Sequence, residues 1–144
     1  LNTNTNYTKV KKMKKILFVC TGNSCRSQIA EGLAKNLGWD AYSAGTKLEI
    51  EVNPNAIKAM AEINLDISNH YPKLVEEIEL DKMDVIVTVC ANADENCPVF
   101  PGFKGKKIHY SFDDPANAIG TKREKLAVFC RVRDEIKDYL IKNL

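Results

Sequence analysis

No stretch of this 144-residue chain approaches the ~20 consecutive apolar residues of a membrane-spanning helix. The run "ILFVC" (Ile16 to Cys20) also falls short of the roughly 7–15 apolar residues in a secretory signal. Charge of one sign is equally scarce. Lys and Arg number 21 and Asp and Glu 19, and a net charge of +2 gives no ground for a nucleic-acid or membrane partner. Histidine is limited to His70 and His109, and neither stands at ligand spacing from another candidate. Cys20 and Cys25 lack a second short-spaced pair, so no metal site is expected. Repeats and low-complexity linkers are absent too. What remains is a protein expected in the cytoplasm, where thiols are kept reduced.

What is present suits one domain. The polar start "LNTNTNYT" and the cluster Lys9, Lys11, Lys12, Lys14 and Lys15 lead into the first apolar run. Residues 1–13 are expected to be a disordered basic tail, with Met13 as a natural start, and 14–144 a single catalytic α/β domain. "KKILFVC" reads as a buried strand, "SQIAEGLAKNLG" as a helix with Ile29, Leu33 and Leu37 inward and Gly38 as its stop, and "DAYSAG" as a second strand. Asn53 and Pro54 open a helix as cap and first helical residue, and Pro72 is expected to open another short one. "DVIVTVC" (Asp84 to Cys90) is the clearest strand, and "KKIHYSF" (Lys106 to Phe112) a weaker fourth. A long amphipathic helix closes the chain, with Leu126, Phe129, Val132, Ile136 and Leu140 inward. Strands alternating with helices predict an open parallel sheet with helices on both faces.

Two strands end in cysteine, and in such sheets ligands bind beyond the carboxyl ends of strands. Cys20 and Arg26 have the spacing C-x5-R, with Ser27 next. A turn of that length aims backbone N–H groups inward at an anion, the first turn of the following helix adds its own, and Arg26 supplies a planar fork for oxygens. Thr21, Gly22, Asn23, Ser24, Cys25 and Arg26 are thus the expected oxyanion cradle. Positive potential at its base favours a thiolate nucleophile at Cys20, with Ser27 donating to the sulfur. A C-x5-R match alone arises often by chance; the strand before it and the helix after it give this one its context.

Cys90 and Cys97 lie seven residues apart across the polar "ANADEN". Burial as small apolar side chains is one reading of them, since free cysteine is often buried. If the first and third strands are neighbours, however, Cys90 stands ~4.8 Å from Cys20, within the roughly 4.4–6.8 Å Cα separation of a disulfide. A helix would hold Cys90 and Cys97 about 10 Å apart, but Asn92, Asp94 and Asn96 are poor helix formers, so the segment could unwind at little cost. "FDDPA" offers an acid for expelling hydroxide from an oxyanion, and Asp114, directly before Pro115, is the choice over Asp113, although the pair could also simply form a turn. Cys25, Cys130 and Trp39 read as packing residues, and the two histidines as structural.

"VCTGNSCRSQIAEG" resembles the low-molecular-weight protein tyrosine phosphatases and, more closely, the thioredoxin-linked arsenate reductases of the same fold. "YSAG", "VNPNAIKAM", "DISNH", "FDDPA" and "RVRDEIK" extend the likeness to the last helix. The resemblance implies a flavodoxin-like sheet of order 2-1-3-4 and a monomer without organic cofactor. It makes Cys20 the nucleophile on arsenate, Asp114 the general acid, and Cys90 and Cys97 the resolving thiols. A transient Cys20–Cys90 disulfide then passes to a final Cys90–Cys97 disulfide reduced by thioredoxin. Phosphatases of this fold follow the proline with an aromatic pair; Ala116 and Asn117 here suit a small inorganic oxyanion. The reductases can carry potassium, whose ligands would fall on Asn23, Glu31, Ser43 and an acidic position occupied here by Lys73, so weak or absent potassium dependence is expected. Two rivals stand beside this reading: a phosphatase using only Cys20, Arg26 and Asp114, and a non-enzymatic thiol sensor or oxyanion-binding module.

Overall fold

Strand β1 (Lys15–Cys20) is buried from Ile16 to its end, as a continuous apolar run requires when both faces of a sheet are covered. The structure, a computed structural model, describes residues 14–47, 49–89 and 100–144. β1 lies inside a four-stranded sheet with β2 (Asp40–Gly45), β3 (Val85–Thr88) and β4 (Lys106–His109), in the order β2-β1-β3-β4. Every pairing is parallel, and the register sets Cys20 against Gly45 and Val19 against Thr88. The sheet order is the expected one.

Element ends differ from the expectations in physically readable ways. Regular pairing in β3 stops at Thr88, although the Val89 N–H still donates to the Val19 carbonyl at 2.9 Å. β4 stops at His109 rather than Phe112; it is an edge strand, exposed at all but one position, and the chain beyond holds to β3 through the Tyr110 and Phe112 N–H groups. Helix α1 (Arg26–Asn36) takes Arg26 into its first turn and ends before Leu37, which lies 43% exposed instead of inward. Gly38, at φ +95°, turns the chain away there, a conformation that suits glycine. Pro72 opens no α-helix, and residues 72–83 hold none. The Gly45 N–H donates to the Lys73 carbonyl at 2.7 Å and Leu74 bridges to Gly45, which keeps this segment extended against the sheet. Two 3-10 turns follow, Val75–Glu77 and Leu80–Lys82.

Helix α2 (Pro54–Glu62) starts as expected, with the Asn53 side chain accepting from the Asn55 N–H at 2.9 Å and Pro54 in the first turn. Helix α3 (Lys122–Asn143) opens with a capping box in which Thr121 and Glu124 satisfy each other's backbone N–H groups. Phe129, Val132, Ile136 and Leu140 of α3 are buried, Leu126 is half-buried, and Cys130 sits at the margin of that face. α1, α2 and α3 share one face of the sheet, packed on Ile16, Phe18, Val85 and Val87. The other face, Leu17, Val19 and Ile86, is covered by the 3-10 segment through Val75, Leu80 and Met83. Among the described residues, no helix is long and apolar enough to cross a membrane.

Candidate active site

Cys20 ends β1 and Arg26 begins α1, so the loop between them is strung from the most buried strand to a helix N-terminus. Cys20 is only 3% exposed, and its sulfur lies 2.8 Å from the Ser27 Oγ and 3.3 Å from the Asn23 backbone N. The Ser27 Oγ already accepts from Asn23 Nδ2 at 2.8 Å, which leaves its proton to point at the sulfur. Two donors thus converge on the Cys20 sulfur. No described side chain caps α1 at Cys25, so its first-turn amides are open to an anion.

Asn23 is the hub of the loop. It is fully buried and holds φ +54°, the left-handed region that Asn tolerates better than most residues. Its Nδ2 also donates to the Ser43 Oγ at 2.9 Å, and its Oδ1 accepts from Gln28 Nε2 at 3.0 Å and the Lys73 N–H at 2.9 Å. Ser43 in turn donates to Glu31 Oε1 at 2.6 Å. Cys20 is therefore tied, through Ser27, Asn23 and Ser43, to a buried carboxylate on α1.

Arg26 is fixed from the opposite side. Its NH1 donates to the Phe112 carbonyl at 3.1 Å, and its NH2 lies 3.5 Å from Asp114 Oδ2. Asp114 Oδ1 accepts from the Ala116 N–H at 3.0 Å, at the start of the 3-10 turn Pro115–Asn117. Cys20, Arg26 and Asp114 line one cavity of about 330 Å³, with Thr21, Gly22, Ser24 and Cys25 on its wall. Asp113 points elsewhere, to Arg131 at 3.3 Å. Burial pushes the Cys25 thiol up to about 12, so this second cysteine of the loop stays protonated at neutral pH. Cys90 and Cys97 lie outside the described residues.

Both histidines are engaged structurally. His70 Nδ1 pairs with Gln28 Oε1 at 2.9 Å, and His109 Nδ1 with the Thr88 Oγ1 at 2.7 Å. Sequence reasoning did not single out Gln28, fully buried beneath the loop, or Glu49 at the cavity rim. Gln28 directly follows the C-x5-R-S motif, a usable signal; Glu49 had none, being one of several acids in a loop. A larger cleft, about 680 Å³ between Tyr110–Asp113 and the end of α3, has no cysteine in its lining, and its carboxylates pair with Arg131 and Lys142.

The residues do not fit a potassium ion. Glu31 Oε2 holds Lys35 Nζ at 2.6 Å while its Oε1 takes the Ser43 hydroxyl, and both Asn23 side-chain heads are engaged. The Lys73 ammonium bonds the Tyr71 carbonyl at 2.9 Å, so Lys35, rather than Lys73, neutralises Glu31. Potassium is expected to change the affinity of this cavity for a tetrahedral oxyanion no more than sodium at equal ionic strength, measured by titration calorimetry. A large potassium-specific rise would contradict this.

Fold and site together define an α/β protein with a buried cysteine and an arginine lining one cavity at the carboxyl end of its parallel sheet. The model of the low molecular weight phosphotyrosine protein phosphatases matches residues 15–144, and the chain belongs to that family. It is 54% identical over 126 residues to an arsenate reductase of Halalkalibacterium halodurans, covering 85% of this chain and 89% of that one. It is 51% identical over 130 residues to an arsenate reductase of Bacillus subtilis, covering 88% and 92%. Among solved structures, an arsenate reductase in the phosphate binding state superposes with TM-score 0.75 at 33% identity, over 90% of this chain and 95% of that one. A low molecular weight protein tyrosine phosphatase from T. tengcongensis gives 0.74 at 26% identity, over 91% and 99%.

Proposed function

We propose that this chain is an arsenate reductase that works by a three-thiol relay, with residues 14–144 as the catalytic unit and 1–13 outside it. The observation that carries the reading is the buried Cys20 sulfur under two donors, at the base of a cavity closed by Arg26 and Asp114. The reductase relatives, about half identical over most of the chain, support it.

Arsenate enters the cradle of residues 21–26, held by backbone N–H groups and Arg26. The Cys20 thiolate forms a sulfur–arsenic bond as an oxygen leaves, and Asp114 supplies the proton that makes it water. The Cys90 thiolate then attacks the Cys20 sulfur. The sulfur–arsenic bond breaks with its electron pair going to arsenic, so arsenic(V) departs as arsenic(III) and a Cys20–Cys90 disulfide remains. Cys97 attacks Cys90, frees the Cys20 thiolate and leaves a Cys90–Cys97 disulfide. A thioredoxin dithiol reduces that bond and is itself oxidised. The protein acts as a monomer in the cytoplasm, where its thiols start reduced. The same cradle accepts phosphate esters, and the family membership favours residual ester hydrolysis as a second activity.

The test is disulfide mapping after one equivalent of arsenate, with arsenite release followed over many turnovers in the presence of thioredoxin. A Cys90–Cys97 disulfide and sustained arsenite production are expected. Ester hydrolysis without arsenite would leave a phosphatase; neither activity would leave an oxyanion-binding module.

A further inference from the structure

The cavity that holds Cys20 carries more negative charge than an anion site needs. Its described lining has one cation, Arg26, and two carboxylates, Asp114 and Glu49. Asp114 is accounted for by Arg26 and the Ala116 N–H. Glu49 has no ion-pair partner among the described residues. It is nonetheless held in place. The Thr46 and Lys47 N–H groups donate to the Cys20 and Thr21 carbonyls at 3.2 and 2.9 Å, and the Asn53 N–H donates to the Ser24 carbonyl at 3.0 Å. Both ends of the segment bearing Glu49 are thus stitched to the cradle. Its side chain then lies across Gly22, so closely that a Cβ at Gly22 would come within 2.6 Å of Glu49 Cγ.

A free carboxylate at the mouth of an oxyanion site accepts hydrogen bonds and donates none. Arsenate at neutral or mildly alkaline pH keeps an As–OH and can donate to it. A phosphate-ester dianion has no such hydrogen and meets only repulsion. We propose that Glu49 is a specificity-determining residue: its carboxylate accepts the hydroxyl hydrogen of a small inorganic oxyanion and weakens, without abolishing, the binding of ester dianions. This rests on the oxyanion-binding reading of the cavity, not on the redox relay.

The experiment measures protection of Cys20 from alkylation by iodoacetamide with Cys90 and Cys97 both replaced by Ser throughout, so that arsenate occupies the cradle without driving the relay to a disulfide. Arsenate and phenyl phosphate are titrated as protectants of this parent and of its Glu49→Gln variant at mildly alkaline pH, where both ligands are dianions and differ in the hydroxyl. The isosteric variant keeps the packing on Gly22, and its melting temperature is checked against the parent. The ratio of phenyl phosphate to arsenate affinity is expected to rise about tenfold, the worth of one hydrogen bond to a charged group at a partly solvated site. An unchanged ratio, or equal tightening of both ligands, overturns the assignment. Failure of arsenate to protect Cys20 of the parent at all would instead sink the oxyanion-site reading beneath it.

Discussion

Cys97→Ser is expected to release one arsenite per protein molecule and then stop. The first displacement and the attack by Cys90 do not involve Cys97, so arsenic is still reduced once. The product is a Cys20–Cys90 disulfide whose Cys20 end sits 3% exposed at the base of the cradle. Thiol–disulfide exchange requires the attacking thiolate to reach a sulfur in line, and a protein dithiol has no such approach to a buried strand end. Sustained turnover with thioredoxin should therefore collapse, while ester hydrolysis measured before arsenate is added stays at the wild-type rate. Mass spectrometry of the stalled protein should recover the Cys20–Cys90 pair. Undiminished multiple turnover in this variant would remove Cys97 from the relay.

Asn23→Ala is expected to damage stability and chemistry together. The substitution deletes the donor to Ser27 and Ser43 and the acceptor of the Gln28 amide and the Lys73 N–H, all in a buried site. It also places alanine at φ +54°, at a cost of about 1 kcal/mol or more. Unpaired buried polar groups cost about 1–3 kcal/mol each, so a loss of roughly 3–5 kcal/mol is expected in chemical denaturation. Ser27 would lose its fixed orientation towards Cys20, and a misplacement of this kind lowers rates about a hundredfold. Asn23→Gly, which relieves the backbone term alone, should recover about 1 kcal/mol of the stability and little of the activity. Wild-type stability in Asn23→Ala would show that the loop is not held by this side chain.

The parts legible in the sequence were those set by local pattern. β1 announced itself as a continuous apolar run, and an apolar strand followed by C-x5-R-S and a helix specifies a nest at a strand end whatever surrounds it. That is why Cys20, Arg26 and Ser27 could be placed together from their spacing. Asp114 needed one further inference, from the proline after it. Long-range partners were not legible. The Phe112 carbonyl on Arg26, the Tyr71 carbonyl on Gln28, and Glu49 over Gly22 all depend on how distant loops are stitched together. The stretch after Pro72 reads locally as a helix start, yet its hydrogen bonds go to Gly45, and tertiary pairing overrode the local signal.

Cys20 terminates the strand flanked on both sides by β2 and β3 and sealed by side chains above and below. Its sulfur therefore inherits its coordinates from the whole interior, not from the loop alone. A void opened far off, under Phe129 or Met60, would show at this atom as positional spread well before the molecule melts. The reactivity of this thiol serves as a gauge of how tightly the entire domain is packed.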